Sequence, residues 1–120
     1  MKTDNILQSK SYAFAIKIVR TYQFLIDQKK EYVLSKQLLK SGTSIGANTE
    51  EAIGGQSDRD FYTKLCIVYK EARETHYWIR LLRDTDILDK EQSLSLLLDC
   101  EEIIRIVGSI TKTLKSKLNT

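Results

Sequence analysis

The sequence predicts an all-α protein, an up-down-up-down antiparallel four-helix bundle. Three observations carry this. Apolar residues recur at alternating spacings of three and four along most of the chain, the pattern of helices with buried faces. The 120 residues contain no proline and only five glycines, which favours long helices over hairpins. Turn signals are confined to three short places, and four helices joined by short connections pack as antiparallel neighbours.

The first helix is expected from about Thr3 or Ser9 to Gln28. Leu7, Phe14, Ile18, Val19, Tyr22, Leu25 and Ile26 make its apolar face, while Lys10, Lys17 and Arg20 occupy another stripe. Lys29 and Lys30 fall in the last turn, where cations suit the carbonyl end of the helix dipole. Residues 31–34 then form a short connection, with Ser35 as the expected N-cap and Leu34 stapling to Leu39.

The second helix, about residues 35–53, passes through SGTSIGANT, a run with the composition of a loop. Yet Leu38, Gly42, Ile45, Thr49 and Ala52 keep the four–three spacing through it. A glycine inside a helix costs about 1 kcal/mol relative to alanine. Two glycines one turn apart therefore imply close backbone approach to a neighbour; the alternative is two short helices with a break near Gly42. Gly54–Gly55 is the stop signal.

The third helix, Ser57–Arg83, is the element around which the others are expected to pack. Phe61, Leu65, Val68, Ala72, Thr75, Ile79 and Leu82 form one continuous seam. Ile67, Trp78 and Leu81 fall on roughly the opposite side, and Tyr62, Tyr69 and Tyr77 widen the apolar arc. A helix apolar on most sides is surrounded. Ile67, Trp78 and Leu81 are therefore candidate contacts with a second copy. Ser57 is the expected cap, with Asp60 in the capping-box position. After a connection at residues 84–88, Asp89 and Gln92 repeat that arrangement for the fourth helix. Leu94, Leu97, Ile104, Val107, Thr111, Leu114 and Leu118 are its expected inner face, with Ile103, Ile106 and Ile110 flanking and fraying after Lys115.

The length suits one domain, residues 1–120, able to bury roughly two-thirds of its unfolded surface. Net charge is +3, but it is unevenly spread. Residues 7–40 hold seven Lys/Arg against two acids, residues 41–60 hold one Arg against four acids, and residues 103–120 hold four Lys/Arg and no acid. Cys66 and Cys100 stand alone, so reduced thiols are expected rather than a disulfide or zinc framework. Neither a signal-peptide core nor an apolar run of membrane-spanning length is seen, and a cytoplasmic location is expected.

Ser44-Ile45, Asn48 and Glu51, then Asp60-Phe61, the run Lys70-Glu71-Ala72-Arg73-Glu74-Thr75, and Trp78 carry a family resemblance over essentially the whole chain. It resembles the bacterial four-helix-bundle proteins called 23S rRNA-intervening-sequence proteins. Many members carry a helix break or proline after Ser-Ile and a glycine after Glu; Gly46 and Ala52 stand there instead. The resemblance implies a four-helix bundle and a homopentamer. A related branch, the accessory proteins of diversity-generating retroelements, implies binding of nucleic acid and a reverse transcriptase partner.

No catalytic, cofactor or metal site is expected. A di-iron carboxylate bundle needs two Glu-x-x-His motifs, and the one histidine, His76, has Arg73 three positions before it. His76 is expected to be hydrogen-bonded at a helical interface rather than a general base with Glu71 or Glu74. Gly54–Gly55 precedes a helix N-terminus, but Asp58 and Asp60 would repel an anion there. Asn48, Glu50 and Glu51 read as structural or solvated rather than as a ligand site.

Basic stripes are the best functional candidate. Lys10, Lys17 and Arg20 are separated by seven and three, as are Arg105, Lys112 and Lys115. On antiparallel neighbours these form a basic band able to hold phosphates by counterion release without reading bases. Glu50, Glu51, Asp58 and Asp60 are expected to neutralise part of it, and a merely solvated face is the competing expectation. The expected function is a non-enzymatic, self-assembling bundle that binds RNA or DNA nonspecifically. The alternatives are a protein scaffold working through Trp78 and, last, an enzyme with a site between subunits.

Overall fold

Four helices form where the periodicity places them: α1 (Lys2–Gln28), α2 (Leu34–Ile53), α3 (Asp58–Asp84) and α4 (Lys90–Leu118). The computed structural model describes residues 2–119, with side chains from residue 6 onward; Met1 and Thr120 lie outside the described residues. α1 and α3 each pack on α2 and α4, and among the described residues the backbones of diagonal helices stay apart. The bundle is a square of helices in chain order, 50 × 22 × 21 Å. Gln8 donates to Glu50 and Lys117 pairs with Asp58. The start of α1, the α2–α3 turn and the end of α4 thus share one end.

The α3 seam is buried as expected: Leu65, Val68, Ala72, Thr75, Ile79 and Leu82 are buried, with Phe61 half-buried at the end. α2 is one continuous helix through its glycines, and Leu38, Gly42, Ile45, Thr49 and Ala52 all face inward. Close approach explains both glycines. A Cβ at Gly42 would stand 2.7 Å from Ile18 Cγ1, and one at Gly46 would stand 3.4 Å from the Ser11 carbonyl oxygen. α1 therefore lies against a side-chain-free strip of α2.

Helix ends follow the caps at α3 and α4. Ser57 Oγ accepts from the Asp60 amide at 3.1 Å, and Asp89 Oδ1 from the Gln92 amide at 2.7 Å. The start of α2 differs from the sequence expectation. The Glu31 carboxylate accepts the Ser35 amide at 2.7 Å and reaches the Val33 amide, so the helix begins at Leu34. Ser35 is buried inside the first turn with its hydroxyl on the Glu31 carbonyl, and is not the N-cap. A carboxylate on a longer arm reached the free amides that a short serine was expected to serve.

The Gly54–Gly55 stop works without a left-handed turn, since Gly54 has φ −79°. The left-handed positions are Lys30 (φ 53°) and Asp86 (φ 63°). Around Asp86, the Ile87 amide donates to the Leu82 carbonyl and the Asp86 amide to the Arg83 carbonyl, the paired bonds of a Schellman ending.

Two inner faces are corrected. In α4 the buried line is Ser93, Leu96, Leu97, Cys100, Ile103 and Val107, whereas Leu94 is 57% exposed. Leucines surround the start of α4, so apolarity there does not select a face; Ser93 is tolerated inside because its hydroxyl bonds the Asp89 carbonyl. Ile103 is core rather than flanking, and α4 stays helical to Leu118 rather than fraying after Lys115. In α1, Val19 is exposed, and the core line Leu7, Ser11, Phe14, Ile18 and Leu25 includes a serine whose hydroxyl bonds the Gln8 carbonyl.

Candidate functional site

The six basic candidates do not share one environment. Lys10 pairs with Glu102 at 3.1 Å, and Lys17 pairs with Asp99 and donates to Ser95 Oγ. The α1 stripe therefore lies along the acidic edge of α4 and is largely neutralised. Arg20 lies beyond these pairs, exposed beside Ile16 and Gln23. Arg105, Lys112 and Lys115 are exposed on α4, and none of them has an ion pair among the described residues.

Lys112 and Lys115 border a groove of about 650 Å³ between α3 and α4. Tyr62, Ile67, Tyr69 and Lys70 are among the residues that line it from α3. Gly108 lies against the Tyr69 ring, where an added Cβ would make ordinary contact at 3.6 Å. Hydrogen bonding to the Cys66 thiol, with desolvation second, pushes the Tyr62 phenol up from its ordinary value. No acidic side chain lines the groove. Lys70 is the residue that sequence reasoning missed. Glu71 beside it and Glu74 one turn on along the same side of α3 hid it in a charge-balanced run; the Glu74 carboxylate is taken by Trp78 Nε1. Glu71 faces the α2 side, where burial first and then Glu74 push its carboxyl up, against the pull of Lys40.

Among the candidate contacts for assembly, Ile67, Trp78 and Leu81 are each half-buried within one chain. Trp78 Nε1 donates to Glu74 at 3.0 Å, and its ring meets Tyr77 edge-on with centroids 5.0 Å apart. More exposed apolar groups lie elsewhere: Tyr12 (70%) with Ile16 and Val19 on α1, and Leu94 with Leu98 (56%) on α4.

The other polar candidates are absorbed by the fold. His76 Nε2 meets Glu101 Oε2 at 2.9 Å across the α3–α4 interface. Asn48 donates to the Ser44 carbonyl, and Glu51 pairs with Lys64. Cys100 is buried with its thiol toward the Ala72 carbonyl, and burial pushes it up to about 12. No group of three or more His, Cys, Asp or Glu side chains suited to a metal occurs among the described residues. No helix there is long and apolar enough to cross a membrane.

Residues 3–109 match the family described as 23S rRNA-intervening sequence protein. The chain belongs to that family. The fold agrees with a 1.70 Å crystal structure of a protein with unknown function from the S23 ribosomal protein family of Bacteroides thetaiotaomicron. That protein is 49% identical, with a TM-score of 0.90 over 92% of this chain and 98% of its own. Among curated proteins no match is found. The chain is thus a four-helix bundle of the intervening-sequence family.

Proposed function

We propose that this member of the family is a cytosolic, self-assembling bundle, a pentamer, that holds RNA or DNA through basic surface without reading bases. The observation that carries this is the uneven fate of its cations. Lys10 and Lys17 are tied to acids of α4, whereas Lys70, Arg105, Lys112 and Lys115 have no ion pair among the described residues. Cations left unpaired beside one another are what phosphate binding by counterion release requires. Self-assembly is supported by apolar side chains that one chain leaves uncovered, chiefly Tyr12, Ile16, Leu94 and Leu98. Symmetry would repeat the basic surface on every copy.

Binding to labelled structured RNA and duplex DNA, measured from low to moderate salt, tests this. Affinity should fall steeply with salt, and native mass measurement should give a pentamer. No retention at low salt with the oligomer intact would replace it with the scaffold reading. The exposed pair Tyr77 and Arg80, the guanidinium 5.9 Å from the ring centroid beside Trp78, favours that alternative as a protein-docking point. Kinship with retroelement accessory proteins would make a reverse transcriptase such a partner.

A further inference from the structure

We infer that the α3–α4 groove is a seat for unpaired nucleic-acid strand, with bases stacked on its tyrosines and phosphates on its lysines; this rests on the nucleic-acid reading above. Tyr62, Tyr69 and Lys70 line it from α3, and Lys112 and Lys115 line it from α4. Three ammonium groups with no acid among the lining residues call for a ligand carrying several negative charges. Two aromatic side chains in the same lining call for flat apolar faces. Single strands supply both, and aromatic stacking tolerates any base. A duplex hides its base faces and gains nothing from the tyrosines.

An acidic amphipathic helix would answer the ammonium groups as well; the two tyrosines in the lining favour a strand, whose bases stack on aromatic rings. The lining runs from Tyr62 to Lys70 on α3, about 12 Å of helix. A Cβ at Gly108 would make only ordinary contact with the Tyr69 ring at 3.6 Å, so it takes a long side chain there to compete for the groove.

The test uses the full-length protein and fluorescence anisotropy with labelled oligo-dT, oligo-rU and a duplex of equal length. Tyr69→Leu should weaken strand binding roughly tenfold and leave duplex binding unchanged. Gly108→Met, which alters no charge, should do the same and carries the test if Tyr69→Leu unfolds, as judged by circular dichroism. Lys112→Gln with Lys115→Gln should weaken both ligands. Equal strand and duplex affinity, indifferent to Tyr69→Leu and Gly108→Met, would overturn the groove while leaving nonspecific phosphate binding intact. Binding of neither nucleic acid would overturn both. Full displacement of the strand by micromolar uridine monophosphate would overturn the strand in favour of a free nucleotide. Displacement only by an acidic helical peptide would overturn it in favour of a protein partner.

Discussion

Gly42 on α2 faces Ile18 on α1 with no space for a methyl group: a Cβ at Gly42 would stand 2.7 Å from Ile18 Cγ1 and 2.8 Å from Cγ2. Ile18 is fully buried and β-branched, so it cannot rotate aside cheaply. Overpacking of this kind costs about 1–3 kcal/mol. That exceeds the roughly 1 kcal/mol that alanine gains over glycine in a helix. Gly42→Ala should therefore lower the urea midpoint. Gly46→Ala meets only the Ser11 carbonyl at 3.4 Å, and should be neutral or slightly stabilising. Equal effects of the two substitutions would contradict the close-approach explanation.

Thr75 and Ser41 form a buried hydroxyl pair between α3 and α2. Their oxygens are 2.9 Å apart, and Thr75 Oγ1 is also 2.7 Å from the Glu71 carbonyl. A hydroxyl has one proton, so when Thr75 donates to Glu71, Ser41 donates to Thr75. Thr75→Val strands the Ser41 hydroxyl and should cost about 1–3 kcal/mol. Ser41→Ala leaves Thr75 its carbonyl partner and should cost about 0.5–1.5 kcal/mol. The double variant should be less unstable than the two costs added, which a double-mutant cycle reads directly.

Lys17 and Lys112 should behave oppositely in nucleic-acid binding. Lys17 is held by Asp99 and Ser95, while Lys112 has no ion pair among the described residues. Lys112→Glu should weaken RNA affinity and flatten its dependence on salt, by about one unit of log–log slope per lost contact. Lys17→Glu should change affinity less. It should lower stability slightly, because half-exposed ion pairs contribute about 0–1 kcal/mol. Equal losses from both would restore the band across α1 and α4.

The Cys100 thiol gives a pH dependence whose sign is fixed. Burial moves it from its ordinary 9.0 to about 12 in the folded chain, with Glu101 and Asp99 adding to the shift. Between these values the unfolded chain has lost a proton that the folded chain keeps, so the unfolded state gains and stability falls as pH rises. Melting temperatures from pH 8 to 11 should therefore drop more steeply for the native chain than for Cys100→Ala. In the folded protein a thiol reagent should reach half-exposed Cys66 well before Cys100. Parallel melting curves for native and Cys100→Ala chains would refute the alkaline linkage.

Glu31 should matter more than Ser35 for starting α2. Its carboxylate holds the Ser35 amide at 2.7 Å. Glu31→Ala should cost about 0.5–2 kcal/mol, the range for lost helix caps. Hydrogen exchange at the Val33 and Ser35 amides should rise in that variant before the rest of α2 responds.

The sequence by itself determined the four helices, their order and the inner faces of α2 and α3. Each of those faces is a single four–three line, and only one orientation buries it. Family kinship was legible from a few motifs on the same two helices. Tertiary structure decided what periodicity leaves degenerate. In α4, leucines on several sides offered more than one inner face, and packing chose the line from Ser93 to Val107. Tertiary structure also sorted the charges. Lys10 and Lys17 are basic in one dimension and neutralised in three, because Glu102 and Asp99 come from more than eighty residues away. Lys70 sat in a balanced run, and only the packing of α3 on α4 brought it opposite Lys112 and Lys115. A helix wheel specifies where a side chain points; what waits there depends on the neighbouring helix.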